Sequence, residues 1–173
     1  MEEGYPGNLS VEALLALTNS NELIIEYRAV TDKPTLCNIT THPYYNLNGV
    51  GPILDHELYI HADQMLLNDV DSVPTGEYLE LRGSPFDFTS ITNIGSSLRK
   101  GHQQMDFAQG IDQNFILKEA ALHQPQIVVF SPTSKRKLSF FTNQPGVQFY
   151  TGNHLNLIGK NKVKYEKFGG LCL

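Results

Sequence analysis

The sequence predicts an all-β fold, and two observations carry that expectation. Apolar and β-branched residues gather in segments of strand length, and each segment is bounded by residues that turn the chain. The segments are Leu23-Ile24-Ile25-Glu26-Tyr27-Arg28-Ala29, Leu36 to Thr41, Glu57 to His61, Asn114 to Leu117, Ile127 to Phe130, Leu138 to Thr142 and Val147 to Tyr150. Between them stand Pro6-Gly7-Asn8, Thr18-Asn19-Ser20-Asn21, Thr31-Asp32-Lys33-Pro34, Asn48-Gly49-Val50-Gly51-Pro52, Pro74-Thr75-Gly76, Ser131-Pro132-Thr133-Ser134 and Pro145-Gly146. Many short strands punctuated in this way make a β-sandwich or a barrel.

Helical signal is sparse. Val11 to Leu17 has helix-forming composition but lies between Asn8-Leu9-Ser10 and a turn, so a short helix and one arm of a hairpin both remain open. Asn68 to Gln109, with Pro74, Gly76, Gly83, Pro85, Gly95 and Gly101, reads as a long ordered excursion with little regular structure, and such excursions are commonly functional. No internal repeat, low-complexity tract or linker interrupts the chain.

The 173 residues have the length of one ordinary domain, and 40% of them are hydrophobic, enough for a core. The net charge of −5 and the scattered Lys and Arg form no basic stripe, which argues against nucleic acid or an anionic membrane as partner. No apolar run has the length of a membrane span, and Met1-Glu2-Glu3 does not read as a leader, so the expected location is cytoplasmic. Cys37 and Cys172 belong to no metal-spaced pair and are read as reduced, buried small hydrophobes. GxGxxG and Walker-type phosphate loops are absent.

Among six histidines, His42 has the most chemical setting. It follows a predicted strand in Thr40-Thr41-His42-Pro43-Tyr44-Tyr45-Asn46-Leu47, where an imidazole can exchange protons near neutral pH beside aromatic faces suited to a sugar ring. A satisfied histidine in a strand-end turn is the plainer alternative. His56, His61, His102, His123 and His154 are read as surface or packing residues, with no third ligand at metal-like spacing beside His56 and His61. Asp112, in Gly110-Ile111-Asp112-Gln113-Asn114-Phe115, either accepts ligand hydroxyls or caps a turn. Gln148 is an amide in the otherwise apolar and aromatic Val147-Gln148-Phe149-Tyr150, and a ligand is one way to satisfy it.

Taken together these segments resemble the aldose 1-epimerase (galactose mutarotase) family. The likeness runs through Glu2-Glu3-Gly4-Tyr5-Pro6-Gly7-Asn8-Leu9, Asn21 to Ala29, the His42 octapeptide, Asp55-His56-Glu57-Leu58, Pro74-Thr75-Gly76-Glu77, Pro85-Phe86-Asp87-Phe88, the Asp112 hexapeptide and Pro145 to Asn153. The resemblance implies an antiparallel β-sandwich of the mutarotase type (a supersandwich) with the sugar on a concave sheet face. It implies that His42 is the general acid that protonates the ring oxygen, that Asp112 and Gln148 bind the sugar, and that Tyr44 is an aromatic neighbour. The substrate implied is a free aldohexose such as galactose or glucose, with no metal or other cofactor; the oligomeric state stays open.

Two departures accompany the likeness. Thr41 stands where the family pattern has Asn, and Pro43 follows His42. The family's general base is a glutamate following a Gly-x-Cys-Leu block, and this sequence ends at Gly170-Leu171-Cys172-Leu173. Residues 1–173 are therefore expected to be a partial domain, lacking an N-terminal segment and the C-terminal strands that carry the base, and to be inactive alone. A non-catalytic, carbohydrate-binding role is the alternative. A sugar-phosphate substrate would require a basic cluster at the site, and Lys135-Arg136-Lys137 reads instead as a solvated hairpin turn.

Overall fold

Nine consecutive residue pairs, from Leu9↔Thr31 to Leu17↔Leu23, settle the ambiguous segment as a strand: β1 (Leu9–Leu17) and β2 (Leu23–Thr31) form an antiparallel hairpin. Seven residues of helix would be marginal alone, whereas the hairpin pairs the whole run. Thr18 closes the turn, its Oγ1 accepting from the backbone N–H groups of Ser20 and Glu22. A computed structural model describes residues 2–119 and 121–173 and divides the chain into two compact units, Met1–Thr41 and His42–Leu173. Within the first unit, the predicted strand from Leu36 to Thr41 is irregular chain with Leu36 exposed, since among the described residues no strand pairs with it. Cys37 lies on that segment and is exposed, contrary to the expected burial, whereas Cys172 is buried; both are free thiols.

The second unit contains β3 (Glu57–Ile60), β4 (Ala62–Asn68), β5 (Pro74–Glu80), β6 (Thr92–Asn93), α1 (Ile94–Lys100), α2 (Gln103–Ala108), β7 (Asp112–Leu117), β8 (Ile127–Phe130), β9 (Lys137–Phe140), β10 (Gly146–Tyr150), β11 (Leu157–Ile158) and β12 (Lys164–Tyr165). They form two four-stranded antiparallel sheets, β10-β7-β4-β5 and β6-β3-β8-β9, and the small pair β11-β12. The all-β expectation holds, with two short helices added.

Those helices correct the reading of Asn68 to Gln109 as mostly irregular. Each has fewer than eight residues, too few for a visible helical period, and the signals present are caps. Asn93 accepts from the Ser96 N–H at 2.8 Å, Gly101 ends α1 at φ 67°, and His102 opens α2 by accepting from the Gln104 N–H. Pro74-Thr75-Gly76, read as a turn, is the start of edge strand β5, where proline costs no ladder bond and Gly76, at φ 87°, lies opposite the register shift between Leu66 and Asn68. Strand β4 carries little sequence signal because Ala-Asp-Gln-Met-Leu-Leu-Asn has no β-branched residue.

The pleat decides which residues reach the core. Along β7, Gln113, Phe115 and Leu117 are buried while Asp112, Asn114 and Ile116 face the other way; along β10, Val147 and Phe149 are buried while Gln148 and Tyr150 share the face of Asp112. The inward residues of both sheets enter one hydrophobic cluster with Phe86, Phe88, Ile94, Ile111 and Leu171. Phe115 meets Phe88 and Phe149 with ring centroids 6.2 and 6.3 Å apart, in tilted and edge-on arrangements that suit aromatic quadrupoles. Phe115→Ala is expected to lower the unfolding free energy by about 3–5 kcal/mol, read as a reduced urea midpoint, whereas Ile116→Ala on the opposite face should cost markedly less.

Candidate functional site

Asp112 is placed by the bend that precedes its strand. Asn153 presses so closely on Gly110 that a Cβ there would lie 2.0 Å from its Oδ1, so only glycine fits. Asn153 Nδ2 donates to the Ile111 carbonyl at 3.1 Å, and the Thr151 hydroxyl accepts from the Ile111 N–H at 3.0 Å and donates to Asn153 Oδ1 at 2.5 Å. All three side chains are buried, so these bonds form away from competing water. From the other side, Asn68 Nδ2 donates to the Asp112 carbonyl at 3.2 Å, and Asn68 is itself held by buried Gln104, whose amide exchanges two bonds with its backbone at 2.8 Å each.

Cross-strand pairing then builds outward from Asp112. Tyr150 lies directly opposite it, and Gln148 reaches diagonally, its Nε2 donating to Asp112 Oδ1 at 2.7 Å. Beyond β10 the chain's last residues continue the ladder: Tyr150 and Cys172 exchange backbone bonds at 3.2 and 2.8 Å, and Leu171 and Tyr45 do the same at 2.7 and 2.9 Å. This brings the His42 loop beside Tyr150. The His42 ring stacks on Tyr44 at 4.9 Å between centroids, and Tyr150 meets both rings edge-on at 6.2 Å. His42, Tyr44, Asp112 and Gln148, widely spaced in sequence, thus come together, with Tyr150 at their centre. His42 and Tyr44 are exposed, and Asp112 and Tyr150 are half-buried.

Electrostatics separate reactive from inert groups. Burial, followed by the nearby Asp112 carboxylate, pushes the Cys172 thiol up to about 12, so it is no nucleophile at neutral pH. The hydroxyl of the exposed Tyr44 is also raised, first by partial loss of hydration and then by Cys172, Tyr150 and Asp112.

Sequence reasoning does not single out Tyr150, although it sits two residues from Gln148, or the amides Asn68, Gln104 and Asn153, whose spacing gives no periodic signal. It also takes His56 as ordinary. His56 and His61 bracket β3; His56 is fully buried, and its Nδ1 lies 2.9 Å from Asp55 Oδ1. Arg136 lies in the turn between β8 and β9, as expected for the basic cluster, but donates to the Leu47 carbonyl at 3.0 Å and so touches the His42 octapeptide. Among the described residues no three His, Cys, Asp or Glu side chains are grouped to hold a metal, and no helix is long and apolar enough to cross a membrane. A cavity of about 540 Å³ lined by Leu54, Leu98, Arg99, Met105, Asp106 and Phe168 contains none of the clustered residues, and its mainly apolar wall lacks their combination of carboxylate, amide and imidazole.

Burial pushes the Asp55 carboxyl up, but hydrogen bonds from Asn48, Thr133 and His56 together outweigh it and lower the pKa to about 2. A folded-state pKa below the ordinary 3.8 contributes stability that is complete above the unfolded value and lost as pH falls through about 2. Chemical denaturation between pH 5 and 2 should show Asp55→Asn losing stability less steeply with acid than the wild type.

The aldose 1-epimerase family model matches residues 1–173. Galactose mutarotase from Mus musculus is 43% identical over 176 residues, covering 99% of this chain and 50% of that protein. The crystal structure of galactose 1-epimerase from Lactobacillus acidophilus superposes with a TM-score of 0.85 at 33% identity, over 97% of this chain and 48% of that one. An aldose epimerase homologue from C. elegans gives a TM-score of 0.87 at 25% identity, over 99% of this chain and 51% of the other. This chain spans about half the length of the curated relatives it matches. With the match running from the first residue to the last and the same fold in both solved structures, the chain belongs to the aldose 1-epimerase family.

Proposed function

We propose that the cluster of His42, Tyr44, Asp112, Gln148 and Tyr150 binds a free aldohexose such as galactose, as part of an enzyme that interconverts its α and β anomers. The observation that carries this reading is the pairing of Asp112 with Gln148 on the same open surface as an exposed imidazole and two tyrosine rings. A carboxylate accepts from sugar hydroxyls, the neighbouring amide can both donate and accept, and aromatic faces cover the apolar C–H side of a pyranose.

His42 is assigned as the acid. Anomerisation requires a proton to reach the ring oxygen as the C1 hydroxyl loses one; the C1–O5 bond then breaks, the open aldehyde turns about C1–C2, and reclosure with the roles reversed gives the other anomer. An imidazole gives and takes a proton near neutral pH, and its ring is oriented here by Tyr44 and Tyr150. Asp112, engaged by Gln148 at one oxygen, is assigned to hydroxyl binding. The complementary base is by family resemblance a glutamate. Both steps are proton transfers between positioned groups, so no cofactor is assigned.

Titration of the 173-residue chain with D-galactose by NMR should give saturable shifts at these residues. Asp112→Asn should weaken the affinity by about tenfold or more, since a charge-assisted bond is lost. Where the segment works within an active enzyme, polarimetry of freshly dissolved α-D-galactose should show His42→Asn lowering kcat by about 10²–10⁴-fold, with no effect of EDTA on the wild-type rate. Unchanged turnover in His42→Asn would remove the acid assignment.

A further inference from the structure

His42 is exposed and cannot orient its own loop; the groups that do so lie behind it. Between His42 and Leu47 the backbone is tied at Tyr45, through its pair with Leu171, and again at Leu47. The Leu47 N–H donates to His56 Nε2 at 3.0 Å. A backbone amide can only donate, so Nε2 must accept and the His56 proton must sit on Nδ1, where Asp55 Oδ1 receives it at 2.9 Å. Asp55 also accepts from Asn48 Nδ2 at 3.0 Å and from the Thr133 hydroxyl at 2.8 Å, which ties it to the same loop and to the turn between β8 and β9. The backbone of His56 is fixed as well, its N–H donating to the Ile53 carbonyl at 3.0 Å and its own carbonyl accepting from the Ile94 N–H at 2.9 Å at the start of α1.

We propose that His56, held in one tautomer by Asp55, is a positioning residue that sets the His42 loop through the Leu47 amide and thereby the placement of the His42 ring against Tyr44. It is fully buried, and its hydrogen bonds go to Leu47, Asp55, Ile53 and Ile94, so it acts through the backbone and not on substrate. The role deepens the sugar-site reading and rests on it for its effect on affinity, but the placement of His42 can be read without any sugar.

Two substitutions separate the ring nitrogens. His56→Asn keeps a donor at the level of Nδ1 for Asp55 but offers no acceptor to Leu47, whereas His56→Gln carries its Oε1 to the level of Nε2 and restores that acceptor. In the intact chain, with folding verified by near-UV circular dichroism, three quantities are measured: the His42 ring-proton chemical shift, which senses the stacked Tyr44; hydrogen exchange at the Leu47 amide; and affinity for D-galactose. His56→Asn is expected to move the His42 shift toward its unstacked value, accelerate Leu47 exchange by about tenfold or more and weaken D-galactose about tenfold, and His56→Gln to return all three toward wild type. A folded His56→Asn with wild-type His42 shift and Leu47 exchange overturns the positioning role whatever the sugar does. Should His56→Asn fail to fold, a folded His56→Gln with a displaced His42 shift overturns it equally. Loss of the His42 shift with unchanged D-galactose affinity in both His56→Asn and Asp112→Asn instead sinks the sugar-site reading and leaves the positioning role standing.

Discussion

The arrangement at the candidate site depends on four main-chain hydrogen bonds made by two consecutive residues. Leu171 pairs with Tyr45 on one side and Cys172 with Tyr150 on the other, so this short segment is the only backbone ladder among the described residues that joins the His42 loop to β10. At about 0.5–1.5 kcal/mol net each, the four bonds contribute about 2–6 kcal/mol, and as buried groups they would cost more if left unmade. Close approach is required on both flanks. A Cβ on Gly170 would lie 3.0 Å from Tyr44 Cβ, and one on Gly152 would meet the Gly170 carbonyl oxygen at 2.4 Å. Gly152 also has φ 66°, a conformation costly for any residue with a side chain.

Around that ladder, buried amides and hydroxyls perform the fine placement. Asn153 and Thr151 fix the bend before Asp112, Asn68 and Gln104 hold the Asp112 carbonyl, and His56 with Arg136 holds both polar groups of Leu47. Each is a polar side chain spent on a backbone group, and all of these bonds except the exposed one from Arg136 lie wholly or partly out of water, where an unpaired group is costly. The division of labour follows from exposure. Groups proposed to meet a sugar are open or half-open, and the side chains that orient them, the exposed Arg136 apart, are buried, where hydrogen bonds are stronger and geometry is better defined.

Much of this arrangement is legible in the order of the residues. The strands of the second unit rich in Ile, Val, Phe and Tyr lie within a residue or two of the segments their composition marks, because alternating burial leaves a local trace at every second position. His42, Asp112 and Gln148 stand out because each is a chemically able side chain beside a strand-like segment or in an apolar run, although the segment before His42 forms no strand. The elements that composition misses are of a different kind. Strand β4 is a strand by virtue of its neighbours β5 and β7, and α1 and α2 are helices by virtue of their caps and packing, with too few residues to show a period.

The sequence by itself determined the fold class, the family and the identity of the chemically able residues, since these depend on local pattern and on blocks of residue types that survive being read in one dimension. Only the tertiary structure decided that Tyr150 stands between His42 and Asp112, that Cys172 is a buried rung while Cys37 is exposed, and that His56 is fastened to the loop of His42. Those facts arise from pairings between segments as far apart as Tyr45 and Leu171. Such pairings are chosen by the requirement that every buried donor find an acceptor, and a chain read in order carries no record of which distant group will provide it.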